Sequence, residues 1–76
     1  MWLEEEDQLI KTFEFVDFKE AFAFMVRVAF IAEAYNHHPN WSNVYNKVEV
    51  RLNTHDAGNT VTEKDYKLAE LIDKIN

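Results

Sequence analysis

The chain has 76 residues, a formal net charge of −6, one glycine, one proline and no cysteine. That length allows one small domain, and the eight Lys and Arg residues are too few and too dispersed to build the basic face that neutralises nucleic-acid phosphates. A single glycine cannot write a P-loop or a dinucleotide fingerprint, no disulfide can form, and no apolar run approaches the roughly 20 residues of a membrane span.

The N-terminus, Met1-Trp2-Leu3-Glu4-Glu5-Glu6-Asp7, is acidic where a secretory or transit peptide would be basic, so a soluble, cytoplasmic protein is expected. Residues 2–6 read as a short strand and Glu6-Asp7 as a turn. Residues 8–15 read as a second strand, with Leu9, Phe13 and Phe15 on one parity and Ile10, Thr12 and Glu14 on the other.

Asp17 then stands as an N-cap with Glu20 three residues later, the pattern of a capping box. Phe18, Ala21, Phe22, Met25, Val26, Val28, Ala29 and Ala32 follow, with Phe24 and Ile31 beside them. On a wheel of about 100° per residue, Lys19, Glu20 and Arg27 mark one narrow polar sector. A helix this widely apolar is covered on two sides, here by its own sheet and by a partner subunit. The expectation of a partner also follows from size: a domain this small buries only about 60% of its unfolded surface, and without disulfides association is the usual remedy. Glu33 falls inside the apolar arc, between Phe22 and Val26. There a carboxylate either escapes at the helix end or is held for a purpose, because its burial is costly.

Pro39 is expected to end this helix. Trp41–Tyr45 reads as a third strand, Asn46-Lys47 as a turn, and Val48, Val50 and Leu52, alternating with Glu49, Arg51 and Asn53, as the fourth strand. After the loop Asp56-Ala57-Gly58-Asn59, Thr62 caps a last helix with Asp65 at the box position and Leu68, Ala69, Ile72 and Ile75 as its buried stripe. The order β-β-α-β-β-α predicts a single α+β domain over residues 1–76, with a four-stranded antiparallel sheet and its helices on one face.

All three histidines, the proline and a tryptophan fall between His37 and His55. His37 and His38 are expected at a helix C-terminus, where the dipole favours positive charge. His55 is expected at a strand end, and in an antiparallel α+β layer these ends can meet. Three imidazoles in one cleft can give and take protons near neutral pH. The plainer alternative is that adjacent histidines are polar residues at a helix end. Metal binding is the other alternative, but neighbouring His37 and His38 cannot readily aim both rings at one ion.

The stretch Glu33-x-x-x-His37-His38-Pro39-x-Trp41-x-x-Val44-Tyr45 resembles the signature of the pterin-4a-carbinolamine dehydratase family, also known as the dimerisation cofactor of a homeodomain transcription factor. The resemblance runs upstream through Phe13, Phe15, Phe18, Ala21-Phe22 and Phe24-Met25. Downstream it runs through Asn46-Lys47-Val48, Leu52, Thr54-His55, Gly58 and Thr62-Glu63-Lys64-Asp65, covering nearly the whole chain. It implies the same β-β-α-β-β-α fold, usually preceded by a further helix that has no counterpart in this chain. It also implies a homodimer or homotetramer in which sheets join and helices pack between subunits.

The activity implied is dehydration of 4a-hydroxytetrahydropterin to quinonoid dihydropterin, a hydro-lyase step that recycles tetrahydropterin and needs no cofactor and no metal. The resemblance makes His37, His38 and His55 the acid–base residues and puts Glu33, Asn36, Pro39, Trp41 and Asp65 at substrate-binding positions. Within that set Glu33 and Asp65 would orient imidazoles or accept the amino-pyrimidine edge, and Trp41 would stack on the ring. For Trp41 and Tyr45 the alternative is core packing, and for Asp65 a first-turn carboxylate with no further role. Asn36 stands where the family often has aspartate, keeping an acceptor without the charge. The spacing from His55 to Asp65 is one residue longer than in many relatives. A non-catalytic adaptor is the competing reading. It would bridge a protein partner through an exposed arc around Phe24, Val28 and Ile31, without contact to nucleic acid or membrane.

Overall fold

The computed structural model describes residues 1–75. Two strands, β1 (Leu3–Glu5) and β2 (Gln8–Glu14), precede the long helix α1 (Phe18–Ala34). Then come β3 (Asn40–Val44), β4 (Lys47–Leu52), a single 3-10 turn at His55–Ala57 and the helix α2 (Glu63–Ile75). The strands form one sheet in the order β1-β2-β4-β3, every neighbour antiparallel. The α+β element order expected from the sequence is therefore the one observed.

Local chemistry accounts for most boundaries. Glu6 and Asp7 both take positive φ (51° and 62°), the geometry a two-residue hairpin needs to match strand twist. Asp17 caps α1, its Oδ1 accepting from the Glu20 N–H at 2.9 Å, a contact worth about 1 kcal/mol. Thr62 and Asp65 cap α2 as the box pattern predicts: the Thr62 N–H donates to Asp65 Oδ2 at 2.9 Å.

Strand ends fall within a residue of the sequence reading, and two differences have a clear local cause. The helix ends at Ala34, before Pro39. Asn36 adopts the left-handed region (φ 51°), the Asn36 N–H donates to Glu33 O at 3.1 Å, and the His37 N–H donates to Ala32 O at 3.0 Å. These paired bonds form a Schellman motif, so the carbonyls of the last turn are satisfied before the proline is reached. His37 and His38 consequently lie beyond the helix and not in its last turn. The second difference is the β3–β4 turn, which is Tyr45-Asn46, one residue earlier than expected. Tyr45 carries a positive φ of 51°, unusual for a bulky residue. The Asn43 amide, donating to Tyr45 O and Lys47 O, and the Asn46 amide, donating to Phe15 O, hold it there.

The core lies between one face of the sheet and the two helices. Leu9 and Phe13 of β2 and Val48, Val50 and Leu52 of β4 point to that face. Ala21, Phe24 and Val28 of α1 and Leu68, Ala69 and Ile72 of α2 meet them. Phe24 packs on Phe13 and Phe15, with ring centroids 4.7 and 5.0 Å away. Trp41, opposite Val50, faces the same layer and packs at its edge.

This arrangement corrects the expected partner surface. Phe24 and Val28 are buried in the core and Ile31 is half-buried, so no exposed arc is centred on them. The outward face of α1 instead carries Phe18, Phe22, Val26 and Phe30, the last 75% exposed. The wide apolar arc of the wheel is thus divided, one part covered by the sheet and the other facing outward. Among the described residues no helix is long and apolar enough to cross a membrane.

Candidate active site

The site forms where the end of α1, the end of β4 and the start of α2 converge. The Schellman turn at Asn36 reverses the chain and delivers His37 beneath the first turn of α2. There the His37 Nε2–H donates to Asp65 Oδ1 at 2.5 Å. Asp65 is wholly buried, and its other oxygen accepts from the Thr54 hydroxyl at 2.7 Å and the Thr62 N–H at 2.9 Å. Thr54 closes the network through a 2.6 Å hydrogen bond to the Thr62 hydroxyl. Among the described residues no buried side-chain polar atom is left without a partner. A buried carboxylate is tolerable only under such full satisfaction, and its place in the first turn of α2 adds the favourable end of the helix dipole.

His38 and His55 complete the group. The His38 Nε2–H donates to Glu33 Oε1 at 2.9 Å, in an open setting where the Glu33 side chain is 80% exposed. Glu33 thus escapes the apolar arc by turning towards His38 past the helix end. The His55 Nδ1–H donates to the Asn59 amide oxygen at 3.1 Å. Each imidazole therefore has one nitrogen tied to the protein, and no protein partner engages the other among the described residues.

All three rings line one cleft of about 320 Å³, with Asn36, Asn53, Thr54, Asp56 and Lys64 as its other walls. A second cleft of about 390 Å³, lined mostly by apolar atoms of Tyr35, Leu68 and the stems of Lys64 and Lys67, meets the first at His37 and Lys64. The first is polar and the second is not, a combination suited to a flat heterocycle with a less polar substituent.

The structure brings His37, His38, His55 and Asn36 together on this surface and sets Asp65 directly behind His37. It does not bring the other expected binding residues to the walls. Trp41 packs at the edge of the core, and Pro39 and Glu33 stand outside the cleft lining. Asp65 cannot touch a ligand, since it is fully buried and both oxygens are engaged. Lys64 escaped the sequence reading. It precedes Asp65 on α2, so the fold that carries Asp65 to His37 necessarily carries Lys64 to the rim.

Comparison with known proteins bears on the family and the fold. The family model described as pterin 4 alpha carbinolamine dehydratase matches residues 1–75. A protein of Opitutus terrae, provisionally named a pterin-4-alpha-carbinolamine dehydratase, is 59% identical over 99% of this chain and 77% of its own length. One of Prochlorococcus marinus with the same provisional name is 51% identical over 97% of this chain and 76% of its own. The crystal structure of a transcriptional coactivator/pterin dehydratase from Brucella melitensis superposes with a TM-score of 0.91 at 42% identity, covering 97% of this chain and 80% of that one. A pterin dehydratase-like protein described as a RuBisCO assembly factor in the alpha-carboxysome shares the fold, with a TM-score of 0.78 at 21% identity over 97% of this chain and 84% of its own. The chain belongs to the pterin-4α-carbinolamine dehydratase family.

Proposed function

We propose that this chain dehydrates a 4a-hydroxytetrahydropterin to the quinonoid dihydropterin. The observation that carries the reading is the sharing of one cleft by three imidazoles in a member of this family. In the reaction the C4a–O bond breaks, the hydroxyl takes a proton and leaves as water, the N5–H proton passes to a base, and a C4a=N5 double bond forms. The step needs one proton donor and one acceptor on the same small ring and no change of oxidation state. A positioned acid or base contributes about 10²–10⁴-fold.

The contacts support a division of roles. His37, His38 and His55 carry out the acid–base work. Asp65 positions His37 and does not bind substrate. Glu33 holds His38 at the open rim of the cleft. Among the described residues Lys64 is the one lysine or arginine on the cleft wall, and it can donate to the ring carbonyl. The ring substituent extends along Tyr35 and Leu68.

A second reading rests on the outward face of α1. Phe18, Phe22, Val26 and Phe30 make a continuous apolar stripe of the kind that marks association. We propose that a second copy of the chain covers it, with an adaptor role as the alternative. Activity measured together with mass in solution separates the two. An oligomer that accelerates carbinolamine dehydration well above the spontaneous rate is the expected result. An inactive dimer whose mass rises only with a protein partner would favour the adaptor.

A further inference from the structure

We propose that Asn59 is a positioning residue that fixes the tautomer of His55, so that this imidazole presents Nε2 to the bound ring as the proton acceptor. The inference deepens the function proposed above and rests on it, in that it takes His55 to do acid–base work.

The contact is chemically one-sided. An amide carbonyl oxygen only accepts, so the bond from His55 Nδ1 to Asn59 Oδ1 at 3.1 Å places the ring hydrogen on Nδ1. A neutral imidazole in that form has its lone pair on Nε2, the nitrogen with no protein partner among the described residues. His37 and His38 are held the other way round, through Nε2, by carboxylates. Of the three rings in the cleft, His55 is therefore the one that presents Nε2, and the only one whose partner is uncharged.

The loop is built to make this contact. Gly58 and Asn59 are consecutive left-handed residues, with φ of 79° and 60°, and they turn the chain so that the Asn59 side chain meets the His55 ring. The Asn59 N–H donates to Thr54 O at 3.1 Å and to His55 O at 3.3 Å. The Thr54 N–H donates to Thr60 O at 2.8 Å and the Thr60 hydroxyl donates to Ala57 O at 2.9 Å, which closes the turn on both sides of Asn59. Asparagine is among the few non-glycine residues that enter the left-handed region readily and still carry a side-chain acceptor.

The test uses Asn59→Gly and Asn59→Asp in the full chain. Glycine suits the left-handed backbone and removes only the acceptor, and aspartate keeps an acceptor oxygen. Nitrogen-15 NMR of the His55 ring should show the Nδ1–H form in the wild type and in Asn59→Asp. In Asn59→Gly it should shift towards the Nε2–H form that free histidine favours, with kcat lowered about tenfold and KM little changed, as the loss of one orienting hydrogen bond implies. An Nε2–H form in the wild type, or an Asn59→Gly variant with unaltered tautomer and kcat, overturns the proposal. A fully active His55→Ala variant instead overturns the use of His55 in the reaction. An inactive His55→Ala beside an unaltered Asn59→Gly removes only the role of Asn59.

Discussion

Replacing Asp65 by alanine should lower the stability of the domain by about 3–5 kcal/mol, since each buried donor left without its acceptor costs about 1–3 kcal/mol. The carboxylate has no exposed surface and accepts from His37, Thr54 and Thr62 at once, so its loss strands three donors and a helix cap together. A 76-residue domain has roughly 4–11 kcal/mol to lose, at typical stabilities per residue. The substitution should therefore bring the urea midpoint down by a large fraction, and an unchanged midpoint would refute the buried network. Asp65→Asn separates structure from chemistry. It keeps one oxygen for the Thr62 and Thr54 donors and turns an NH2 group to His37, which moves the His37 proton from Nε2 to Nδ1. That variant should fold with a smaller loss of stability than Asp65→Ala and a larger loss of rate than its stability explains.

The second large effect is on rate alone. His38→Ala and His55→Ala should each slow dehydration by about 10²–10⁴-fold, the size of a lost general acid or base, equivalent to about 2.7–5.4 kcal/mol of barrier. Both side chains are exposed and bonded only to exposed partners, so unfolding free energies should stay within about 0.5 kcal/mol of the wild type. His37→Ala is a poorer probe, because it takes a hydrogen-bond donor away from the buried Asp65 and mixes stability with catalysis. Unchanged rates in both His38→Ala and His55→Ala would remove the catalysts assigned here.

Most of the architecture was legible because it depends on local rules. Period-two alternation marked β4, side-chain caps marked the starts of both helices, and the acidic pair Glu6-Asp7 marked the first hairpin. The end of α1 was not legible in the same way. A Schellman motif is a backbone arrangement at Asn36, and a proline three residues on masked it. The wheel of α1 showed one wide apolar arc, and the part around Phe24, Val28 and Ile31 was expected to face outward, whereas the sheet takes that part. That choice depends on how α2 and β4 pack, and it placed Phe24 and Val28 in the core and Phe22 and Phe30 outside.

The site divided along the same line. The histidines could be named from sequence because no other residues of that chemistry are present. The division of labour among the carboxylates could not, since Glu33 and Asp65 differ only in burial, which tertiary contacts decide. Lys64 reaches the cleft wall, and Asn59 reaches the His55 ring, through the geometry of the 54–65 segment.

A titration with a dihydropterin, followed through the ring signals of the three histidines, addresses the convergence of these imidazoles most directly. The signals of His37, His38 and His55 should move together along one saturable binding curve. A pterin that binds while leaving all three rings undisturbed would contradict the account.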